Sequence, residues 1–61
     1  MKEFLIEFVG PMDTSEDDVE DVIINANTPQ EAMAILNDKY DVGEVYDIYE
    51  KKGDTFVVVK P

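Results

Sequence analysis

Cysteine, histidine, arginine and tryptophan are all missing from this chain. Without cysteine no disulfide can staple a small core, and no thiolate is available for covalent chemistry. Without histidine a structural zinc is unsupported, and acid–base catalysis near neutral pH loses its usual agent. Without arginine there is no planar fork to clamp phosphate or carboxylate. Basic charge of any kind is scarce, since five lysines face fifteen carboxylates for a formal charge of −10. Gly10, Gly43 and Gly53 stand alone, so no glycine-rich loop can cradle a phosphate. Long apolar runs are lacking too, and none approaches the length that spans a bilayer.

The 61 residues allow a single domain, 1–61. A chain of that size buries only about 60% of its unfolded surface and is marginal alone. High net charge favours disorder, yet 44% of the residues are hydrophobic. They cluster in compact runs: Phe4-Leu5-Ile6, Val22-Ile23-Ile24 and Phe56-Val57-Val58-Val59. That pattern implies an ordered, β-containing domain.

Lys2 to Val9 reads as a strand with Phe4, Ile6 and Phe8 on one face and Glu3, Leu5, Glu7 and Val9 on the other. Gly10-Pro11 ends it, and an acidic loop occupies 12–18. Val19 to Ala26 reads as a second strand. Thr28-Pro29-Gln30-Glu31 is a helix start: Thr28 can accept from the Glu31 amide while Glu31 reaches back, and Pro29 at the first helical position wastes no donor. The helix should run to about Tyr40, with Ala32, Ile35, Leu36 and Tyr40 near one face and Gly43 supplying a left-handed exit. Glu44 to Glu50 and Thr55 to Lys60 read as a hairpin turning at Lys51-Lys52-Gly53-Asp54. The expected fold is α+β: ββαββ, a four-stranded, mainly antiparallel sheet with one helix on one face.

Several strands are apolar on both sides, and one helix covers only one face. Leu5, Val9 and Ile23, with some of Tyr46, Ile48, Val57 and Val59, are expected to face outward. An uncovered apolar face marks an interface. A homodimer built on Leu5, Val9, Ile23, Val57 and Val59 is therefore expected, and it would also relieve the small-core problem.

Chemistry has little to work with. Ser15, the one serine, lies among acids that would oppose a developing oxyanion. Paired carboxylates could serve glycoside hydrolysis, but so short a chain leaves no substrate cleft. No enzyme activity and no cofactor is expected. Asp13, Asp17 and Asp21 fall four apart without a central glycine, which does not match a calcium loop. Ser15-Glu16-Asp17-Asp18 fits the general preference of acidophilic kinases, a match too short to build on.

The acids themselves are the remaining signal. Six fall within nine positions as Asp13, Glu16, Asp17, Asp18, Glu20 and Asp21, and a second series is Asp38, Asp41, Glu44, Asp47 and Glu50. Five lysines cannot displace counterions from nucleic acid, so direct binding to it is not expected. Anionic lipid would repel the chain as well. Nothing at Met1-Lys2-Glu3-Phe4 looks like a signal peptide, so the expected location is the cytoplasm. Rows of carboxylates on a firm scaffold can instead present a DNA-like field to a basic protein.

In size, charge and apolar patterning the chain resembles phage-encoded acidic DNA-mimic proteins. That resemblance implies a homodimeric inhibitor acting in host takeover without catalysis. It would occlude the basic surface of a nucleoid protein, polymerase, nuclease or CRISPR effector. Two other readings stand beside it. The acids can be a plain solvated face that keeps the domain soluble. Alternatively the chain is a regulatory or assembly module that binds through its apolar sheet face or an edge strand, with the charge incidental.

Overall fold

The computed structural model describes residues 1–11 and 19–59. Among the described residues five elements follow in order: β1 (Lys2–Val9), β2 (Glu20–Ala26), α1 (Pro29–Lys39), β3 (Glu44–Lys52) and β4 (Thr55–Val58). The strands form one antiparallel sheet, ordered β2-β1-β3-β4, with α1 packed on one face. This is the ββαββ arrangement that the apolar patterning implies.

β1 lies inside the sheet, paired with β2 on one side and β3 on the other, and its core-facing residues are the most deeply buried of any strand. Phe4 and Ile6 are 0% exposed and Phe8 is 1% exposed. Ile24 lies opposite Phe4, Val22 opposite Ile6 on one side, and Ile48 opposite Ile6 on the other. Directly opposed residues share a face, so these side chains form a single layer. Ala32 and Leu36, one helical turn apart, close over that layer and are fully buried. Burial of side chains such as Phe4, Ile6, Phe8 and Leu36 contributes about 1.5–3 kcal/mol each.

The helix starts where the sequence places it. Thr28 is extended (φ −138°, ψ 159°), and its Oγ1 accepts from the Glu31 amide at 3.1 Å. At the other end Tyr40 is extended too, and its amide donates to the Leu36 carbonyl at 2.9 Å. The Tyr40 ring then meets Phe8 with centroids 5.7 Å apart and planes at 58°.

β3 contains one irregularity that matters. Asp47 pairs with Glu7 and Val45 with Phe8, leaving Tyr46 as an extra residue. Without this bulge, strict alternation would turn Val45 to the face of Asp47. With it, both Ile48 and Val45 reach the core. The hairpin to β4 turns on Gly53 (φ 62°) and Asp54, the glycine-first pattern of a II′ turn, and Lys52 pairs with Thr55.

Several expectations are corrected. Gly43 does not adopt a left-handed exit, since Gly53 is the described glycine with positive φ. Gly43 is required for close approach instead: a Cβ there would sit 2.4 Å from the Gly10 carbonyl oxygen. Its amide donates to the Val9 carbonyl at 2.8 Å. Val9, on the helix-free side of β1 by alternation, is buried at this crossing (3% exposed) rather than exposed. Ile48 belongs to the core, and Val59 packs against it. Val57 lies opposite Glu50, which is itself opposite Phe4, so pairing sets Val57 on the helix side of the sheet although it stays exposed. Leu5 and Ile23, opposite one another, do lie on the helix-free face. The acidic loop 12–18 lies outside the described residues.

Leu36→Ala should lower unfolding free energy by about 2–5 kcal/mol, which would leave so small a domain largely unfolded. Gly43→Ala should cost about 1–3 kcal/mol, because backbone must move to admit the methyl group. Urea titrations followed by circular dichroism measure both. A neutral Gly43→Ala would show that the Gly10–Gly43 crossing is not tight.

Candidate functional site

α1 leaves one face of the sheet open, and register alone determines which side chains meet there. Three rows cross the strands. The first is Asn25, Glu3, Lys51 and Phe56; the second is Ile23, Leu5, Tyr49 and Val58; the third is Asp21, Glu7 and Asp47. Glu44, opposite Val9, adds a fourth carboxylate beyond the third row. The open face is thus mixed-charge at one end, apolar in the middle and acidic at the other.

The acidic row is the unusual part. Glu7 stands directly opposite Asp21 on one side and Asp47 on the other, and strands lie about 4.8 Å apart. Like charges in directly opposed positions are destabilising. Among the described residues two ion pairs form, Lys2–Glu50 at 3.8 Å and Lys51–Glu3 at 3.7 Å, and neither touches this row. Among the described residues no group of three or more acids converges well enough to hold a metal ion. The row is an array rather than a cage.

Tyr49 borders the row and reports its field. Hydrogen bonding to Glu7 raises the Tyr49 hydroxyl above the ordinary phenol value of 10.0; partial desolvation and the neighbouring Asp47 and Glu7 charges push the same way. A phenolate would add negative charge beside two carboxylates, so the proton is retained.

The structure separates the acids that the sequence grouped. Asp21, Glu44 and Asp47 lie on the open face, while Glu20 (opposite Phe8) and Glu50 (opposite Phe4, paired with Lys2) lie on the helix side. Asp38 is exposed on α1 and Asp41 is exposed in the connection after it. The second acidic series is therefore not one row. Asp13, Glu16, Asp17 and Asp18 fall outside the described residues. Glu7 and Tyr49, absent from the expected site, sit at its centre. Alternation along β1 placed Glu7 on the outer face, but only pairing reveals its two acidic neighbours.

An open cleft of about 530 Å³ is lined by Met33 of α1 and by Val45, Tyr46, Asp47, Ile48, Val58 and Val59 at the β3–β4 edge of the sheet. It is apolar and offers no convergent set of reactive groups. Among the described residues no helix is long and apolar enough to cross a membrane. Comparison with family models, with curated proteins and with solved structures returned no match.

Glu7→Gln should stabilise the fold by about 0.2–1 kcal/mol, and more at low salt, because it removes the central repulsion. Tyr49 holds its proton more tightly when folded than unfolded. Its contribution to stability is complete below pH 10 and is lost as pH rises through the folded value. The phenolate absorbance of wild type minus Tyr49→Phe should titrate above 10 and move down in Glu7→Gln. An unmoved titration would show that Glu7 does not govern this hydroxyl.

Proposed function

We propose that the domain binds a positively charged protein surface through the acidic end of its open face, acting as a DNA mimic that occludes a nucleic-acid-binding site. The observation that supports this reading most is the Asp21–Glu7–Asp47 row, three carboxylates aligned against their mutual repulsion. Such an arrangement works against a marginal fold unless a cation-rich partner relieves it. Duplex DNA offers about one negative charge per 1.7 Å of axis. A rigid sheet that lines up carboxylates offers a basic groove a related field, pre-organised and without catalysis. The partner class is a basic DNA-binding protein, such as a nucleoid protein, polymerase, nuclease or CRISPR effector, in the cytoplasm of a host cell.

A second reading rests on the apolar row beside it. Ile23, Leu5, Tyr49 and Val58 cross all four strands, and Ile23 is 57% exposed. A regulatory or assembly module could dock a hydrophobic partner there, with the acids serving solubility.

Salt and competition separate the two. If the acids govern binding, affinity for a captured basic protein should fall roughly tenfold or more between 50 and 200 mM salt, and DNA should displace it. A combined Glu7→Gln, Asp21→Asn, Asp47→Asn variant should lose the capture while remaining folded. Binding that ignores salt and this variant but fails in Leu5→Lys would overturn the mimic in favour of the apolar row.

A further inference from the structure

The free edge of β4 differs from the rest of the surface. Phe56, Val57 and Val58 are 43%, 44% and 52% exposed, and no charged residue interrupts Thr55–Val58. Edge strands are normally guarded by charge, proline or a bulge. The opposite edge, β2, is guarded in this way by Glu20 and Asp21 at its start. Among the described residues nothing pairs with the outer side of β4.

The charge distribution singles out the same end of the chain. Residues 1–50 hold fourteen carboxylates and two lysines, a net −12, whereas residues 51–61 hold three lysines and Asp54, a net +2. A basic partner has no electrostatic reason to seat on that segment. A second copy of this acidic chain is repelled least there, because the two segments brought together carry only +2 each while the rest of each chain carries −12.

Backbone alternation supplies the register. The Val59 amide donates to the Ile48 carbonyl at 2.8 Å, so Val59, Val57 and Thr55 bond inward to β3. The N–H and C=O groups of Phe56 and Val58 therefore point outward, giving four unpaired backbone groups.

We infer that β4 pairs antiparallel with β4 of a second copy, with Val57 opposite Val57 of the partner across a two-fold axis. This register uses all four outward groups, two Phe56–Val58 exchanges giving four hydrogen bonds. It joins two sheets into one of eight strands. On the open face each Val58 neighbours the partner's Phe56, so the row Ile23–Leu5–Tyr49–Val58 continues onto the second protomer. On the helix side Val57 meets its own copy. The acidic rows remain uncovered, about 34 Å separating the two β2 edges at seven strand spacings. The pairing goes beyond the proposed binding of a basic surface and does not depend on it.

Sedimentation equilibrium and amide exchange of the intact chain test the pairing. Dimer mass is expected, and it should strengthen as salt rises because the copies repel. Capture of a basic partner responds to salt in the opposite sense, so the two readings fail separately. The Phe56 and Val58 amides should be protected in step with the dimer fraction. Val58→Pro removes an outward donor while sparing every bond to β3; it should weaken the dimer about tenfold or more, since two hydrogen bonds are lost per dimer. Val57→Lys sets two ammonium groups against each other at the axis and should also give monomer, whereas Ile23→Lys should not. Circular dichroism confirms that each variant folds. A wild-type monomer at NMR concentrations would overturn the inference. So would a dimer broken by Ile23→Lys and indifferent to Val58→Pro.

Discussion

Phe4, Ile6 and Phe8 of the central strand form the layer on which every other element rests. β2 adds Ile24 and Val22 to it, β3 adds Ile48 and Val45, and α1 seals it with Ala32 and Leu36. A strand has period two, so a slip of one residue would drive Glu3, Leu5 and Glu7 inward and expel the aromatics. With two carboxylates among the intruders, that slip is prohibitive. The burial of Phe4, Ile6 and Phe8 and the exposure of Glu7 are therefore one constraint seen from two sides.

The same logic runs through the neighbours. Asp21 is turned outward because Val22 is turned inward, and Asp47 because Ile48 is. Once the apolar layer is assembled, three carboxylates come abreast whether or not they repel. The core thus holds the acidic row in place, and the row subtracts from the stability that the core supplies. In a domain this small the margin is thin. Further devices are the Thr28 cap and the Gly53 turn, which are local, and the tight crossing of Gly10 and Gly43. The cap satisfies an orphan amide, Gly53 takes a positive φ without strain, and Gly43 leaves room for the crossing, each without adding bulk.

The bulge at Tyr46 shows how small a backbone feature decides what the surface presents. β3 must satisfy the core at both Val45 and Ile48, an odd spacing that a regular strand cannot supply. One extra residue reconciles them. It also carries Glu44 to the open face beside Asp47, while alternation leaves Glu50 beside Lys2 on the helix side. Charge that looks like a single series along the chain becomes an array on one face and a separate ion pair on the other.

Local chemistry made much of this legible in the sequence. The Thr28-Pro29-Gln30-Glu31 start, the alternation of β1 and the glycine turn before Asp54 each depend on near neighbours, and each appears in the fold. So does the ββαββ order, which follows from those elements and their short connections. Positions that depend on distant partners were not legible. Val9 read as outward yet is buried, Gly43 read as a helix exit yet serves a close crossing with Gly10, and Val57 changed face with its pairing to Glu50. Composition alone determined that the surface would be acidic, because fifteen carboxylates cannot be buried in so small a core. Only the tertiary structure decided that Glu7 stands between Asp21 and Asp47, because strand register is set by the packing of the opposite face and is not written in any one segment.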